Sequence, residues 1–255
     1  MRIWVQVLWL NIFLCGSVKA EQVRLAAASD LVFCLEEINR AFLANHPSAE
    51  ITATFGSSGN FYSQIRAGAP FDLFLSADIS LPKRLALDGF AAGETLRPYA
   101  VGRLALWTLN TNISIAQGLT VLTQAAFTKI AIANPDHAPY GAAARAALTK
   151  LALWQTVQPK LVLADNIAQT AQFVRTGNAE VGIVALSLVL APTTAGMGQW
   201  ELVPDSLHAP LEQAAILTQF GQTNSAARAF LGFLNTPVAR EIFNRFGFRL
   251  PVAAP

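Results

Sequence analysis

Ala26-Ala27-Ala28-Ser29-Asp30 and Phe55-Gly56-Ser57-Ser58-Gly59-Asn60 are the stretches on which the reading of this chain turns. The first follows a strand-like run over residues 23–27, the second an alternating run over 50–55 that ends at Gly56. Each precedes a helix-like run, so each places small hydroxyl residues at a helix N-terminus. The first backbone N–H groups of a helix lack intrahelical acceptors, and the helix dipole adds partial positive charge there. Two such ends aimed at one point would hold an anion without any Lys or Arg. The alternative for either serine taken singly is an ordinary N-cap.

Working outward, strand and helix signals alternate. Apolar residues at Leu31, Leu35, Ile38 and Phe42 have helical spacing over 31–43. Helices are expected over 60–67 and 81–87 and a buried strand over 73–75, which completes a βαβαβα pattern. The alternation then restarts, with strands over 102–109, 129–133, 161–163 and 181–184. Between them fall helices over 141–153 and 167–174. A last strand over 214–217 and helices over 226–234 and 238–246 follow. Two successive α/β units with a C-terminal return predict two lobes around a cleft. Residues 21–100 with 206–255 form one lobe, and residues 101–205 form the other. Ligands of open α/β sheets bind beyond the carboxyl ends of the strands, where Ser29 and Ser58 fall.

Residues 1–20 read as a cleaved secretory signal. Arg2 gives the charged start, residues 3–14 the apolar stretch, and Val18-Lys19-Ala20 the small residues before a cut. Bulky Phe13-Leu14 before Cys15 argue against a lipid-attachment box. The chain has 18 Lys and Arg against 16 Asp and Glu. Loss of Arg2 and Lys19 with the signal makes the mature chain formally neutral, which argues against a nucleic-acid or membrane-surface partner. Cys34 is then left alone and makes no intramolecular disulfide.

Hydrolysis is the rival chemistry, because Ser29, Ser57 and Ser58 lie on strand-to-helix turns. No Gly-x-Ser-x-Gly elbow is present, and of His46, His137 and His208 only His137 falls near a cleft loop. No spacing suits a zinc or calcium site, and Gly56–Gly59 lacks the Gly-Lys-Ser/Thr of a phosphate-binding loop. Tyr140, in His137-Ala138-Pro139-Tyr140-Gly141, repeats the context of a strand end, a loop and an Ala-rich helix; its alternative is a packed loop aromatic. Asp165-Asn166-Ile167 precedes another helix, with Asp165 as a plausible cap.

Taken in order, the segments resemble the periplasmic molybdate-binding proteins, the solute-binding subunits of ABC transporters. The resemblance runs from about Val23 to Leu250. Besides the two opening stretches it rests on Gly68-Ala69-Pro70-Phe71-Asp72-Leu73-Phe74-Leu75-Ser76-Ala77-Asp78 and Asn134-Pro135-Asp136-His137-Ala138-Pro139-Tyr140-Gly141. Gly182-Ile183-Val184 and Glu241-Ile242-Phe243-Asn244-Arg245-Phe246-Gly247-Phe248 add to it. It implies an α/β, two-lobed periplasmic-binding-protein fold of the type II Venus-flytrap kind, each lobe a mixed, mainly parallel sheet flanked by helices. It implies molybdate or tungstate as ligand, held as the oxyanion with no protein ligand on the metal. No cofactor and no enzymatic activity are expected; the partners are the small oxyanion and a membrane permease, with no nucleic acid, and the chain acts as a periplasmic monomer.

Carried over position by position, the resemblance puts hydroxyl contacts at Ser29 and Ser58 and second-lobe backbone contacts at Tyr140 and Ile167. Ser57 and Ala77 are further candidate contacts. The tyrosine that many family members carry after Gly-Ile-Val is Ala185 here. A subset of the family places its tyrosine at the Tyr140 position, and the Tyr140 hydroxyl is expected to replace the missing donor. Asp30 departs from the pattern. A carboxylate ~4 Å from a dianion costs several kcal/mol at an effective dielectric near 20, so Asp30 is expected to point away and cap its helix. If it faces the ligand, it suits phosphate, whose P–OH wants an acceptor. Another tetrahedral anion such as sulfate or phosphate, and more remotely a secreted serine hydrolase, therefore stand as alternatives.

Overall fold

The computed structural model describes residues 21–251, so the signal segment assigned to residues 1–20 lies outside the described residues. Two five-stranded sheets organise the chain, with strand orders β2-β1-β3-β10-β4 and β7-β6-β8-β5-β9. The first sheet contains β1 (Glu21–Ala28), β2 (Ala49–Gly56), β3 (Leu73–Ser76), β4 (Arg97–Gly102) and β10 (Leu211–Leu217). The second contains β5 (Leu104–Thr108), β6 (Ile130–Ala133), β7 (Leu161–Ala164), β8 (Val181–Ala185) and β9 (Gln199–Leu202). The helices are α1 (Cys34–Leu43), α2 (Ser58–Arg66), α3 (Ser80–Leu87), α4 (Pro139–Lys150), α5 (Trp154–Val157), α6 (Ile167–Arg175), α7 (Leu186–Val189), α8 (Ser225–Phe233) and α9 (Pro237–Arg245).

Burial explains the pattern along the chain. The residues of β3 are all buried, because helices cover both faces of a central strand. At the sheet edge, β2 alternates, with Glu50, Thr52 and Thr54 exposed. One face of the first sheet packs Leu25, Leu75 and Leu217 against Leu35, Ile38 and Phe42 of α1 and Phe230 and Phe243 of α8 and α9. The other face packs Ala26, Phe74 and Ile216 against Phe61 and Ile65 of α2 and Leu85 of α3. A separate core fills the second lobe, and it reaches across to Ala28 and Ala77 of the first. The lobes are therefore in contact around the ends of β1 and β3.

Both sheets are mixed. In each, two strand pairings are parallel and two antiparallel, so parallel pairing is less dominant than expected. The added antiparallel pairings involve β4 and β9, two strands with no clear sequence signal. The run read as one strand over 102–109 is in fact the end of β4 and all of β5, broken at Arg103. That break is where the chain leaves the first sheet for the second. It returns between Leu202 and Leu211. The two crossings lie side by side, with the Val203 N–H donating to the Leu104 carbonyl at 3.0 Å.

Phe42 is fully buried, stacked on His46 and edge-on to Phe230 and Phe233. It joins α1 to α8 far from the cleft. Phe42→Ala is expected to cost about 3–5 kcal/mol in denaturant unfolding, from lost burial and the cavity left behind. A loss under about 1 kcal/mol would mean that the α1–α8 contact is not part of the stabilising core.

Candidate functional site

A small cavity lies between the lobes, with an empty volume of about 190 Å³, lined by Ser29, Asp30, Ser57, Ser58, Ala77, Tyr140 and Ile167 among others. Seven of the eight residues singled out from the sequence meet there, from five separate segments of chain. The exception is Ala185, which is buried at the end of β8 opposite Leu104 and is not on the cavity wall. A larger depression of about 650 Å³ adjoins the cavity, but its charged lining residues are Asp78 and Glu212, which would repel an anion.

Each serine reaches the cavity for a local reason. Ser29 follows β1 on a 3-10 turn, Ser29–Leu31, that precedes α1. It does not cap its own helix; its Oγ accepts the Ala168 N–H of α6 across the cleft at 3.2 Å. Ser58 is the first residue of α2, and its Oγ accepts the Ala77 N–H after β3 at 3.0 Å. The capping role belongs to Ser57, whose Oγ accepts the Asn60 N–H at 3.4 Å. Because Ser29 and Ser58 already accept a backbone N–H, each keeps its own O–H proton for donation. Both are almost fully buried, at 2% and 1% exposure.

Helices supply the remaining donors. Ser58 heads α2, Tyr140 is the second residue of α4 behind Pro139, and Ile167 heads α6 behind its cap Asn166. Their N–H groups lie in first turns, where no intrahelical acceptor exists. The cavity wall contains no Lys or Arg. Among the described residues no group of three or more His, Cys, Asp or Glu could hold a metal ion.

The acid on the wall is Asp30, 1% exposed. Its side chain does not cap α1. Oδ2 accepts the Tyr140 hydroxyl at 2.8 Å and the Gln213 amide at 2.5 Å, while Oδ1 is buried without a partner. Gln213 in turn accepts the Tyr99 hydroxyl at 2.8 Å. The Tyr140 hydroxyl is directed at Asp30, and Tyr140 also lines the cavity at the first turn of α4. The reason is steric as well as chemical. The ring lies against the crossing strand so closely that a Cβ on Gly102 would stand 2.2 Å from its hydroxyl oxygen. Burial pushes the Asp30 carboxyl from 3.8 up to about 6, with the Gln213 and Tyr140 hydrogen bonds limiting the rise. Burial, reinforced by the Asp30 charge, holds the Tyr140 and Tyr99 hydroxyls well above their ordinary range.

Tyr99 and Gln213 carried no sequence expectation. The available signal is a lone Gln just before the apolar run that starts at Ala214. A register shift between Gln213 and Ala214 in the pairing of β10 with β4 sits at this position, as bulges that re-aim a side chain near a site often do. His137 also meets the site. Its Nδ1 lies 3.0 Å from Ser57 Oγ, and its carbonyl accepts the Gly59 N–H at 3.0 Å, again joining one lobe to the other.

A cavity walled by both lobes is opened and closed by their separation and approach. That is the working cycle of solute-binding proteins, and the two-lobed type II periplasmic-binding-protein fold defines the class. Within it, the chain belongs to the bacterial extracellular solute-binding protein family, which it matches over residues 23–249. It is similar to the molybdate-binding protein ModA of Azotobacter vinelandii, at 40% identity over 96% of both chains. It is equally similar to that of Rhodobacter capsulatus, at 40% identity over 90% of this chain and 88% of that protein. The solved structure of the Azotobacter vinelandii periplasmic molybdate-binding protein superposes with a TM-score of 0.85 at 31% identity, covering 90% of this chain and all of that one.

The raised Asp30 value has a consequence for stability. The folded protein binds the Asp30 proton more tightly than the unfolded chain does, so stability falls as pH rises from about 4 to about 6 and stays lower above that. A shift of this size corresponds to about 3 kcal/mol. Asp30→Asn is expected to raise unfolding stability by up to about that amount at about pH 8 and to change it little at about pH 4. An equal effect at both pH values would show that the charge is not what costs stability.

Proposed function

We propose that the protein captures molybdate or tungstate in the periplasm and delivers it to the membrane permease of an ABC transporter. The observation that carries this reading is a small cavity between the lobes whose wall holds the buried Ser29, Ser57 and Ser58 and the first-turn residues Tyr140 and Ile167, with no Lys or Arg. Neutral donors suit a fully deprotonated oxyanion, which offers acceptors on every side and has no proton to place. The tight spacing of the buried wall residues suits a small inorganic ion better than an organic ligand. The names of the relatives point the same way.

In this reading the hydroxyls of Ser29 and Ser58 donate to the anion, as do the N–H groups of Ser29, Ser58, Tyr140 and Ile167, with Ser57 and Ala77 shaping the wall. Selection against sulfate rests on cavity size, because the donors themselves do not distinguish tetrahedral dianions. Closure brings the lobes together and creates the surface that a permease reads. No cofactor and no second copy of the chain enter the cycle. The Ser57–His137 pair serves closure rather than hydrolysis: Ser57 Oγ is also the cap of α2, and among the described residues no carboxylate hydrogen bonds to the His137 ring.

Molybdate and tungstate are expected to raise the melting temperature on the order of 10 °C when present at ~1,000 times their dissociation constants, with sulfate and phosphate at the same concentrations doing far less. Ser29→Ala and Ser58→Ala are each expected to weaken molybdate binding by ~10-fold or more, the worth of a hydrogen bond to a charged group. A larger shift with phosphate, or serine variants that lose only apo stability, would contradict the reading.

A further inference from the structure

Asp30 is the group on the cavity wall that the oxyanion reading does not use. It sits next to Ser29, lines the cavity, is buried, and has one carboxylate oxygen with no partner. Among the described residues no cation pairs with it. The titratable side chains acting on it are Tyr140 of α4, Tyr99 of β4 and Cys34 of α1. Each is pushed upward by burial and stays neutral, so none can offset a negative charge. The other contacts are Gln213 of β10 and the Ser187 hydroxyl of α7, which donates to the Asp30 carbonyl at 2.7 Å.

A dianion placed in this cavity would therefore share a desolvated space with an unpaired carboxylate. Like charges at that separation disfavour the ionised form strongly. Neutralising Asp30 removes the repulsion and converts the partnerless oxygen into a position that can hold a donor proton. We infer that the protein takes up one solvent proton at Asp30 as it closes on its oxyanion, making Asp30 a proton-linked positioning residue of the site. This rests on the oxyanion reading above.

The direction of the effect follows from linkage. Above about pH 6 the carboxyl of the empty closed form is ionised, while the liganded form keeps its proton to higher pH. Binding then weakens as pH rises. Molybdate itself stays a dianion over the same range and contributes no proton. The imidazole nearest the wall, His137, contacts Ser57 rather than Asp30.

The test is calorimetric titration of the mature protein with molybdate. Near pH 7.5, runs in buffers of different ionisation enthalpy are expected to report uptake of about one proton per ion bound, and the dissociation constant is expected to rise by roughly 10-fold per pH unit between about pH 6 and pH 8. Asp30→Asn should flatten that profile, and His137→Gln should retain it. Binding with no net proton uptake and a level profile would overturn the inference and leave the oxyanion reading standing. Loss of the profile in His137→Gln would overturn it by assigning the proton elsewhere. Should Asp30→Asn fail to fold, the proton count on the unaltered protein decides alone. Absence of molybdate binding would defeat the oxyanion reading and this inference with it.

Discussion

The starts of α2, α4 and α6 are brought to one small cavity, and this convergence constrains the rest of the structure. Each helix start carries partial positive charge and first-turn N–H groups without intrahelical acceptors. Setting three of them together in a space closed to water is unfavourable unless negative charge lies between them. An oxyanion supplies that charge when bound. In the empty closed form the acidic group on the wall is Asp30, whose Oδ2 has two neutral hydrogen-bond donors and whose charge burial disfavours.

The fold serves this convergence. The starts of α2 and α4 follow the ends of β2 and β6, and that of α6 follows β7, so the carboxyl edges of both sheets face the cleft. Short polar contacts cross the cleft, Ser29 to Ala168, Ser57 to His137, Gly59 to the His137 carbonyl, and Tyr140 to Asp30, beside the apolar contact that Ala28 and Ala77 make with the second lobe's core. The polar contacts can be exchanged for water when the lobes separate. The crossings at Arg103 and at 203–210 are where such a separation would turn. Tyr140 and Gln213 lie against the first of them, beside Gly102, so the Asp30 cluster packs on that crossing.

The sequence made much of this legible, for a physical reason. Ser29 and Ser58 stand out because a small hydroxyl residue between a buried strand and an amphipathic helix is a local pattern, set by neighbours in the chain. The alternation that predicts two α/β units is local too. What was not legible depends on distant partners. The Tyr140 hydroxyl finds Asp30, 110 positions earlier, and Gln213 reaches Asp30 from a shifted register in β10. The strands β4 and β9 are held by pairing rather than by composition; β4 contains Pro98 and β9 is a half-exposed edge. The roles of Ser57 and Ser58 are also not separable from sequence, since either could cap α2.

The central claim is that neutral donors alone hold a dianion between the lobes. A crystal structure of the mature protein with molybdate, located by the anomalous scattering of molybdenum, tests it most directly. The account requires one tetrahedral ion in the cavity, with its oxygens within hydrogen-bond distance of the Ser29 and Ser58 hydroxyls and of the N–H groups of Ser58, Tyr140 and Ile167, and with no Lys or Arg in contact. Molybdenum bound elsewhere, a metal centre coordinated by Asp30, or an ion reached by a cationic side chain would contradict it.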